Sequence, residues 1–203
     1  MKKILTLLSL FITFSAFSQE NDEIQTLLGN DLKYGGYGSY DMHFSTIDGK
    51  AGLLLGGKGG MILNHKLVLG GGGYGLANRT RLTLTDDQGN DSVGRLNFGY
   101  GGVLLEYIIF PENAVHVSIP VLIGSGSAKI YNFQYDFTSD PLIESSTFLL
   151  LEPEINVELN LLTFMRFSLG ASYRLVSGTF LENISDSGLS GLSVNASVKF
   201  GYF

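Results

Sequence analysis

The sequence predicts an all-β protein, an eight-stranded antiparallel up-and-down β-barrel that spans a membrane. Three observations lead to this prediction. Apolar and polar residues alternate with a period of two, the alternating segments number eight, and short connections alternate with long polar ones. The mean hydropathy is +0.21, yet no stretch after residue 18 is long and apolar enough for a membrane helix.

The clearest alternation covers residues 149–175. In its first half, apolar residues at odd numbers alternate with Glu152, Glu154 and Glu158. After a short break, Arg166 and Arg174 alternate with apolar residues in the same way. A regular apolar face opposed by a charged face, on consecutive long strands, is typical of a barrel wall with lipid outside and polar groups inside.

Alternation and turn residues together place the eight strands. The predicted strands are 33–44, 52–63, 66–78, 95–110, 115–127, 147–159, 163–176 and 191–202. The connections 64–65, 111–114 and 160–162 are short, whereas 79–94, 128–146 and 177–190 are long and polar, and 45–51 is a brief exception. In bacterial barrels short turns face the periplasm and long loops face outward.

The beginning of the chain predicts export. Lys2 and Lys3 precede an apolar run at 4–17 and small residues near position 18, as in a secretory signal peptide. We therefore expect a cleaved signal at 1–18, a short periplasmic segment at 19–32 and one barrel domain at 33–203. The chain has no cysteine, so neither a lipid anchor on cysteine nor a disulfide is expected.

The charge of the chain argues against nucleic acid as a partner. Without the predicted signal peptide, 11 basic residues stand against 19 acidic ones, and a phosphate-binding surface would be basic. Residues 52–59 resemble a phosphate-binding loop, but Gly59 follows Lys58 where Ser or Thr is required. The acidic run at 86–91 lacks the spacing of an EF-hand. We expect no cofactor and no metal.

Strand parity predicts the filling of the barrel. The inward-facing charges should form ion pairs that are neutral on balance: Lys58, Glu106, Glu152, Glu154, Glu158, Arg166, Arg174 and Lys199. A three-residue turn at 160–162 would set Asn156 opposite Arg166, with glutamates as diagonal neighbours. An eight-stranded barrel is just wide enough for side chains to fill, so we expect a plug and no large pore.

The signal peptide, the alternating strands, the rhythm of the connections and the terminal residues 199–203 resemble the small eight-stranded outer-membrane barrels of Gram-negative bacteria. That group includes OmpX and the membrane domain of OmpA-type porins. The segments 151–160 and 170–174 also resemble uncharacterised barrels of the bacteroidete type. The resemblance implies an assembly signal for the barrel assembly machinery at Phe200, Tyr202 and Phe203. Because Phe203 is out of phase with the apolar residues before it, either Tyr202 acts as the final aromatic or a bulge turns Phe203 to the lipid.

The long connections are the candidate surface for interaction. Tyr131, Phe133, Tyr135 and Phe137 share one parity and should protrude beyond the bilayer, where they either pack against neighbouring loops or engage an unknown surface partner. The acids of the connections are Asp86, Asp87, Asp91, Asp136, Asp140, Glu144, Glu182 and Asp186. They form either a solvated crown or sites for divalent cations that bridge to anionic lipopolysaccharide.

These observations predict a monomer in the outer membrane, with periplasmic termini, extracellular long loops and a structural or surface-interaction role. A small-solute channel is the main alternative. A lipid-modifying enzyme would need a base near the outer rim, for which His43, with Asp41 and Ser45 close in sequence, is the candidate; we expect no enzymatic activity. A soluble ligand-binding barrel would leave the apolar outer face as an exposed patch.

Overall fold

The computed structural model describes residues 32–78, 80–85, 91–132, 142–181 and 184–203. The predicted signal peptide and nearly all of the predicted segment 19–32 lie outside these ranges. The strands are β1 (Tyr34–Ile47), β2 (Lys50–Leu63), β3 (Leu67–Leu76), β4 (Thr80–Thr85), β5 (Asp91–Ile109), β6 (Val115–Asn132), β7 (Leu142–Leu162), β8 (Met165–Ser177) and β9 (Gly191–Tyr202).

These strands form a closed antiparallel ring. β1 pairs with β2 and β9, the other strands follow in chain order, and the ring closes between β3 and β5. β4 also pairs with β5, so β3 and β4 are two parts of one wall strand. The predicted eight-stranded up-and-down barrel is confirmed. If the paired residues are followed from strand to strand once around the ring, the path returns to β1 about ten residues from where it began. This offset requires the strands to tilt against the barrel axis.

The two ends of the barrel differ. We call the end with the connections after β2, β5 and β7 the turn end, and the opposite end the loop end. Several strands extend further toward the loop end than the sequence predicted. The predicted connection at 45–51 is a two-residue turn, because Asp48 and Gly49 adopt positive φ angles of 50° and 70°, as tight hairpins require. The predicted connection at 79–94 is largely strand, because Thr80–Thr85 pairs with residues 91–96 of β5.

The predicted register of the β7–β8 hairpin is wrong, although its parity is right. Arg166 lies opposite Asn160, and Asn156 lies opposite Gly170. β7 continues to Leu162 because the backbone N–H of Asn160 still donates to the carbonyl of Ala114, at 2.8 Å. The hairpin therefore turns later than the predicted 160–162 connection, and Arg166 moves closer to the turn end.

The wall has an inverted polarity. Inward positions hold buried polar and charged side chains, whereas outward positions hold exposed apolar ones, such as Val103, Leu149, Ile155 and Leu192. The only helical element in the described ranges is a four-residue turn, α1 (Asp186–Leu189), capped by the Ser185 side chain. Within those ranges no helix has both the length and the apolar character needed to cross a membrane.

Glycines create the space that large inward side chains occupy. A Cβ atom at Gly56 would lie 2.6 Å from Cδ1 of Tyr74, and one at Gly126 would lie 2.6 Å from Cε2 of Phe148. Such contacts are too short for real atoms, so the inward aromatics pack directly over bare backbone. This arrangement explains part of the glycine content of the predicted strands.

We expect Gly126→Val to destabilise the barrel by roughly 1–3 kcal/mol, the usual effect of overpacking a close-packed interior. Gly38→Val is the matched control, because a Cβ atom at the exposed Gly38 would meet nothing within 4 Å. Urea unfolding in lipid vesicles measures both. Equal stabilities of the two variants would contradict the packing of Phe148 over Gly126.

Candidate functional site

The turn half of the interior centres on one ammonium group. Nζ of Lys199 donates to Oε1 of Glu106 at 2.6 Å and to Oε1 of Glu158 at 2.5 Å. The hydroxyl of Tyr37 donates to the other oxygen of Glu106. All four side chains are buried. A single lysine therefore connects β5, β7 and β9 across the lumen.

Glu158 collects further partners at this level. The hydroxyl of Ser118 donates to its Oε1 at 2.5 Å, and its Oε2 lies 3.2 Å from Nε2 of His116 and 3.9 Å from Nη1 of Arg166. The predicted proximity of Arg166 to Glu158 is thus present. The predicted proximity to Glu154 is absent, because the β7–β8 register places Glu154 nearer the loop end.

Glu154 instead belongs to a second cluster in the middle of the barrel. Its Oε2 accepts from Nζ of Lys58 at 2.6 Å, and Oδ2 of Asp41 lies 3.9 Å from the same nitrogen. The hydroxyl of Tyr74 donates to this oxygen of Asp41 at 2.7 Å. Asp41 was not among the predicted interior charges. With it, five buried carboxylates stand against four buried lysine and arginine side chains in the described interior, so these side chains do not balance one to one as predicted.

His43 lies inside the barrel and not at an outer rim facing lipid. Its ring packs on Tyr74 with 4.2 Å between centroids, and its Nδ1 lies 3.6 Å from Oε1 of Glu152. Asp41 and Ser45 are buried with it, because all three share the inward parity of β1. The side chain of His43 therefore faces the lumen, and these three residues do not form a site on the lipid face.

The middle of the barrel also contains polar groups without a protein partner. The side-chain amides of Asn156 and Asn195 are buried and make no hydrogen bond within the described structure. The two strands that carry them flank Gly170, which is paired with both residues. Buried amides in polar surroundings normally bind internal water. The interior is therefore less completely paired in its middle than at its turn end.

An apolar layer fills the loop half of the interior. Its principal side chains are Ile47, Leu54, Leu96, Phe98, Tyr100, Ile130, Phe148, Leu150, Val176, Ile184 and Leu189. Arg174 crosses this layer fully buried. Its Nε donates to the carbonyl of Leu189 at 2.8 Å, and its guanidinium carbon lies 5.1 Å from the centroid of Phe98. Arg174 thus stabilises the connection that covers the loop end of the lumen. The role predicted for it from the sequence was an interior ion pair.

That connection, at residues 178–181 and 184–190, is called the lid. Ile184 and Leu189 insert into the apolar layer, and the N–H of Asp48 donates to the carbonyl of Gly188 at 2.7 Å. The carboxylate of Asp186 accepts from the hydroxyl and the N–H of Thr179. These hydrogen bonds favour the charged form and lower the pKa of Asp186. The lid is therefore attached to the wall by specific polar contacts as well as by apolar packing.

The terminal aromatics face opposite ways. Tyr202 pairs with Gly36 in regular register and is 76% exposed on the outer wall. Phe203 turns inward, where its ring packs against Tyr37 and lies 3.9 Å from the guanidinium carbon of Arg166. Of the two alternatives for the final aromatic, the geometry matches Tyr202 as the outward residue, and no bulge turns Phe203 to the lipid side.

The structure thus places all eight predicted interior charges inside the barrel. Asp41, His43 and His116 lie there as well. The signal for the first two was the alternation of β1, in which Tyr40, Met42 and Phe44 are exposed.

Of the predicted surface aromatics, Tyr131 lies on the outer wall, with its ring centroid 5.6 Å from the guanidinium carbon of Arg95. Phe133, Tyr135 and Phe137 lie outside the described residues.

Solved structures share this architecture. Neisserial surface protein A is similar with a TM-score of 0.57 and 11% sequence identity, over 84% of this chain and 98% of that one. The N-terminal β-barrel domain of OprF from Pseudomonas aeruginosa is similar with a TM-score of 0.51 and 11% identity, over 83% and 97%. No protein-family model and no curated protein matches the sequence. Likeness at this identity establishes the fold, and nothing in it supports the bacteroidete resemblance.

We expect Lys199→Met to destabilise the barrel by about 3–5 kcal/mol, because it leaves two buried carboxylates without their shared cation. Lys33→Met, at an exposed position of the turn end, removes the same charge and should change the free energy of unfolding by at most about 0.5 kcal/mol. Unfolding by urea in vesicles measures both. A small effect of Lys199→Met would show that the Lys199 pairs are not required.

Proposed function

We propose that this chain is an integral outer-membrane protein with a closed interior, whose role is structural or depends on surface interaction through the loop end. The single observation that carries the proposal is the inverted polarity of the wall. Charged side chains are buried inside the ring while large apolar side chains cover its outside. In water this arrangement would expose an apolar surface on every strand, whereas in lipid both faces are satisfied.

The height of the apolar surface supports the membrane assignment. On β7 the exposed apolar positions extend from Leu149 to Leu161, which is about 28 Å along the membrane normal at a tilt of ~45°. A bacterial barrel presents an apolar band roughly 25 Å tall. Exposed aromatics also border the turn end at Tyr107, Phe110 and Tyr202, the level at which aromatic girdles meet the interface.

The closed interior supports a role outside the lumen. The Lys199 cluster lies toward the turn end, and the apolar layer with the lid covers the loop end. A solute could cross the lumen only if the side chains of the Lys199 cluster and those of the apolar layer both moved apart. With the termini in the periplasm, the lid and the long connections would face the medium, and the lid presents Phe180 with 90% of its surface exposed. A surface partner would meet these residues first.

The membrane assignment is tested with the full chain expressed with its predicted signal peptide. We expect the protein in the outer-membrane fraction, and we expect the unheated sample to migrate differently from the boiled one on a denaturing gel, since a closed barrel resists detergent until heated. Recovery in the soluble fraction without heat-dependent migration would contradict the proposal.

The closed interior is tested by electrical recording. In planar bilayers the folded protein should give no discrete conductance steps, because charged pairs and apolar side chains fill the two halves of the lumen. An unrelated porin in the same membrane is the positive control. Regular steps that scale with the amount of folded protein would instead support the small-solute channel.

The opposed terminal aromatics predict separable roles in biogenesis. If Tyr202 is the outward residue read by the assembly machinery, Tyr202→Ala should reduce the amount of folded barrel in the outer membrane. Removal of Phe203 should leave insertion intact and lower stability, because only its packing with Arg166 and Tyr37 is lost. Pulse-chase measurement of heat-resistant barrel compares the two. Failure of insertion only on removal of Phe203 would reverse this assignment.

A further inference from the structure

A pocket opens at the turn end of the barrel. It encloses about 650 Å³, which lies within the usual range of small-molecule sites, roughly 300–1,000 Å³. It is formed by the hairpin between β7 and β8 and by the residue that follows β9. Its lining is Asn160, Leu161, Leu162, Thr163, Phe164, Arg166 and Phe203. Four of these seven side chains are apolar and none is acidic, so the pocket combines apolar walls with a single positive charge.

Arg166 supplies that charge and is only 5% exposed. Its guanidinium carbon lies over the ring of Phe203. One face of the guanidinium is therefore covered, while its N–H groups, which point outward in the plane of the group, stay available to acceptors. Nη1 lies 3.3 Å from Nε2 of His116. Nε has no hydrogen-bond partner among the described residues.

The neighbouring carboxylate of Glu158 does not use these donors. Its Oε2 lies 3.9 Å from Nη1 of Arg166, which is beyond hydrogen-bond distance. Its Oε1 instead accepts from Ser118 and Lys199, each at 2.5 Å. A buried N–H group without an acceptor costs free energy. Arg166 therefore carries an unused donor at the wall of the pocket, where a ligand with an anionic acceptor would satisfy it.

The apolar part of the pocket is continuous with the outer wall. Leu161, Leu162 and Phe164 line the pocket and are exposed. Leu161 also belongs to the exposed apolar series of β7, which begins at Leu149 and faces lipid in the proposed membrane. An alkyl chain can therefore extend from the pocket into lipid without crossing water, and its contact with these side chains is favourable.

We propose that the turn-end pocket binds one long-chain fatty acid, with its carboxylate at Arg166 and its alkyl chain along Leu162 and Phe164. A carboxylate suits the guanidinium because the two planar groups form charge-assisted hydrogen bonds edge to edge. A phospholipid fits less well, because its second chain and its polar headgroup have no matching groups in a lining with a single charge. The inference rests on the proposed membrane function, since the alkyl chain extends into lipid, and it adds a ligand class to that function.

The test uses the purified protein, folded in detergent and titrated with palmitate that carries an isotope label on its carboxyl carbon. NMR should show one bound carboxyl signal per barrel, shifted from the signal of palmitate in detergent micelles. Methyl palmitate has the same alkyl chain without the charge, so it should displace the label at least about tenfold less well than unlabelled palmitate does. Phosphatidylglycerol, an anionic phospholipid, should also be the weaker competitor.

Arg166→Gln removes the charge of the pocket. It should weaken palmitate binding by about tenfold or more, as expected for the loss of a charge-assisted hydrogen bond. Lys33→Gln is the matched control. It removes one positive charge from an exposed position of the turn end, outside the pocket, and should bind palmitate as the parent protein does.

Heat-dependent migration is recorded for every variant, so that loss of the fold is distinguished from loss of binding. If Arg166→Gln does not fold, the exposed residue Thr163 in the pocket lining decides. Thr163→Glu places a negative charge beside the ligand carboxylate and should weaken binding, whereas the neutral Thr163→Gln should weaken it less.

The fatty-acid site would be overturned by equal binding to the parent protein and Arg166→Gln or, where that variant does not fold, by equal binding to the two Thr163 variants. Competition by methyl palmitate or phosphatidylglycerol as strong as that by palmitate would overturn it as well. Each of these results would leave the membrane barrel itself intact. Loss of heat-dependent migration in the parent protein would instead remove the membrane function on which the site rests.

Discussion

Closure of the sheet between β3 and β5 is the constraint on which the rest of the structure depends. In lipid every backbone N–H and C=O must bond within the protein, so an open sheet edge is not tolerated. A ring of eight strands leaves a lumen only as wide as its own inward side chains. Each inward residue must therefore fit against those on the opposite wall, and each inward charge must find a partner there.

The lumen meets this requirement in layers with different chemistry. At the turn end one lysine serves two glutamates, so Lys199, Glu106 and Glu158 connect three strands through one ammonium group. At the loop end the same volume is filled by aromatic and aliphatic side chains under a short helical turn. Between them lies a polar region with unpaired amides. Side chains of different chemistry thus fill the lumen on either side of this polar region.

The outer wall has a different role, because in the proposed membrane its neighbours are lipids and not other parts of the same chain. Most of it presents apolar side chains, and between Val103 and Arg95 the outward positions of β5 are Asn97, Gly99 and Gly101. The outward face is therefore apolar on most strands, while the inward face carries the charges.

Much of this architecture follows from the sequence alone. The period of two places Glu152, Glu154 and Glu158 on one face of a strand whatever its partner, and the even number of strands and their connections then favour a closed ring. Parity is a local property of the extended backbone, which is why the sequence alone assigns the inward charges.

The tertiary structure decided which of these charged side chains contact one another. Arg166 lies opposite Asn160 and not Asn156, because register depends on where the hairpin turns and on the hydrogen bonds of the neighbouring strand, and neither is encoded in the alternation. The direction of Phe203, the lid over the mouth and the meeting of Lys58 with Glu154 across the lumen likewise depend on contacts between residues far apart in the chain.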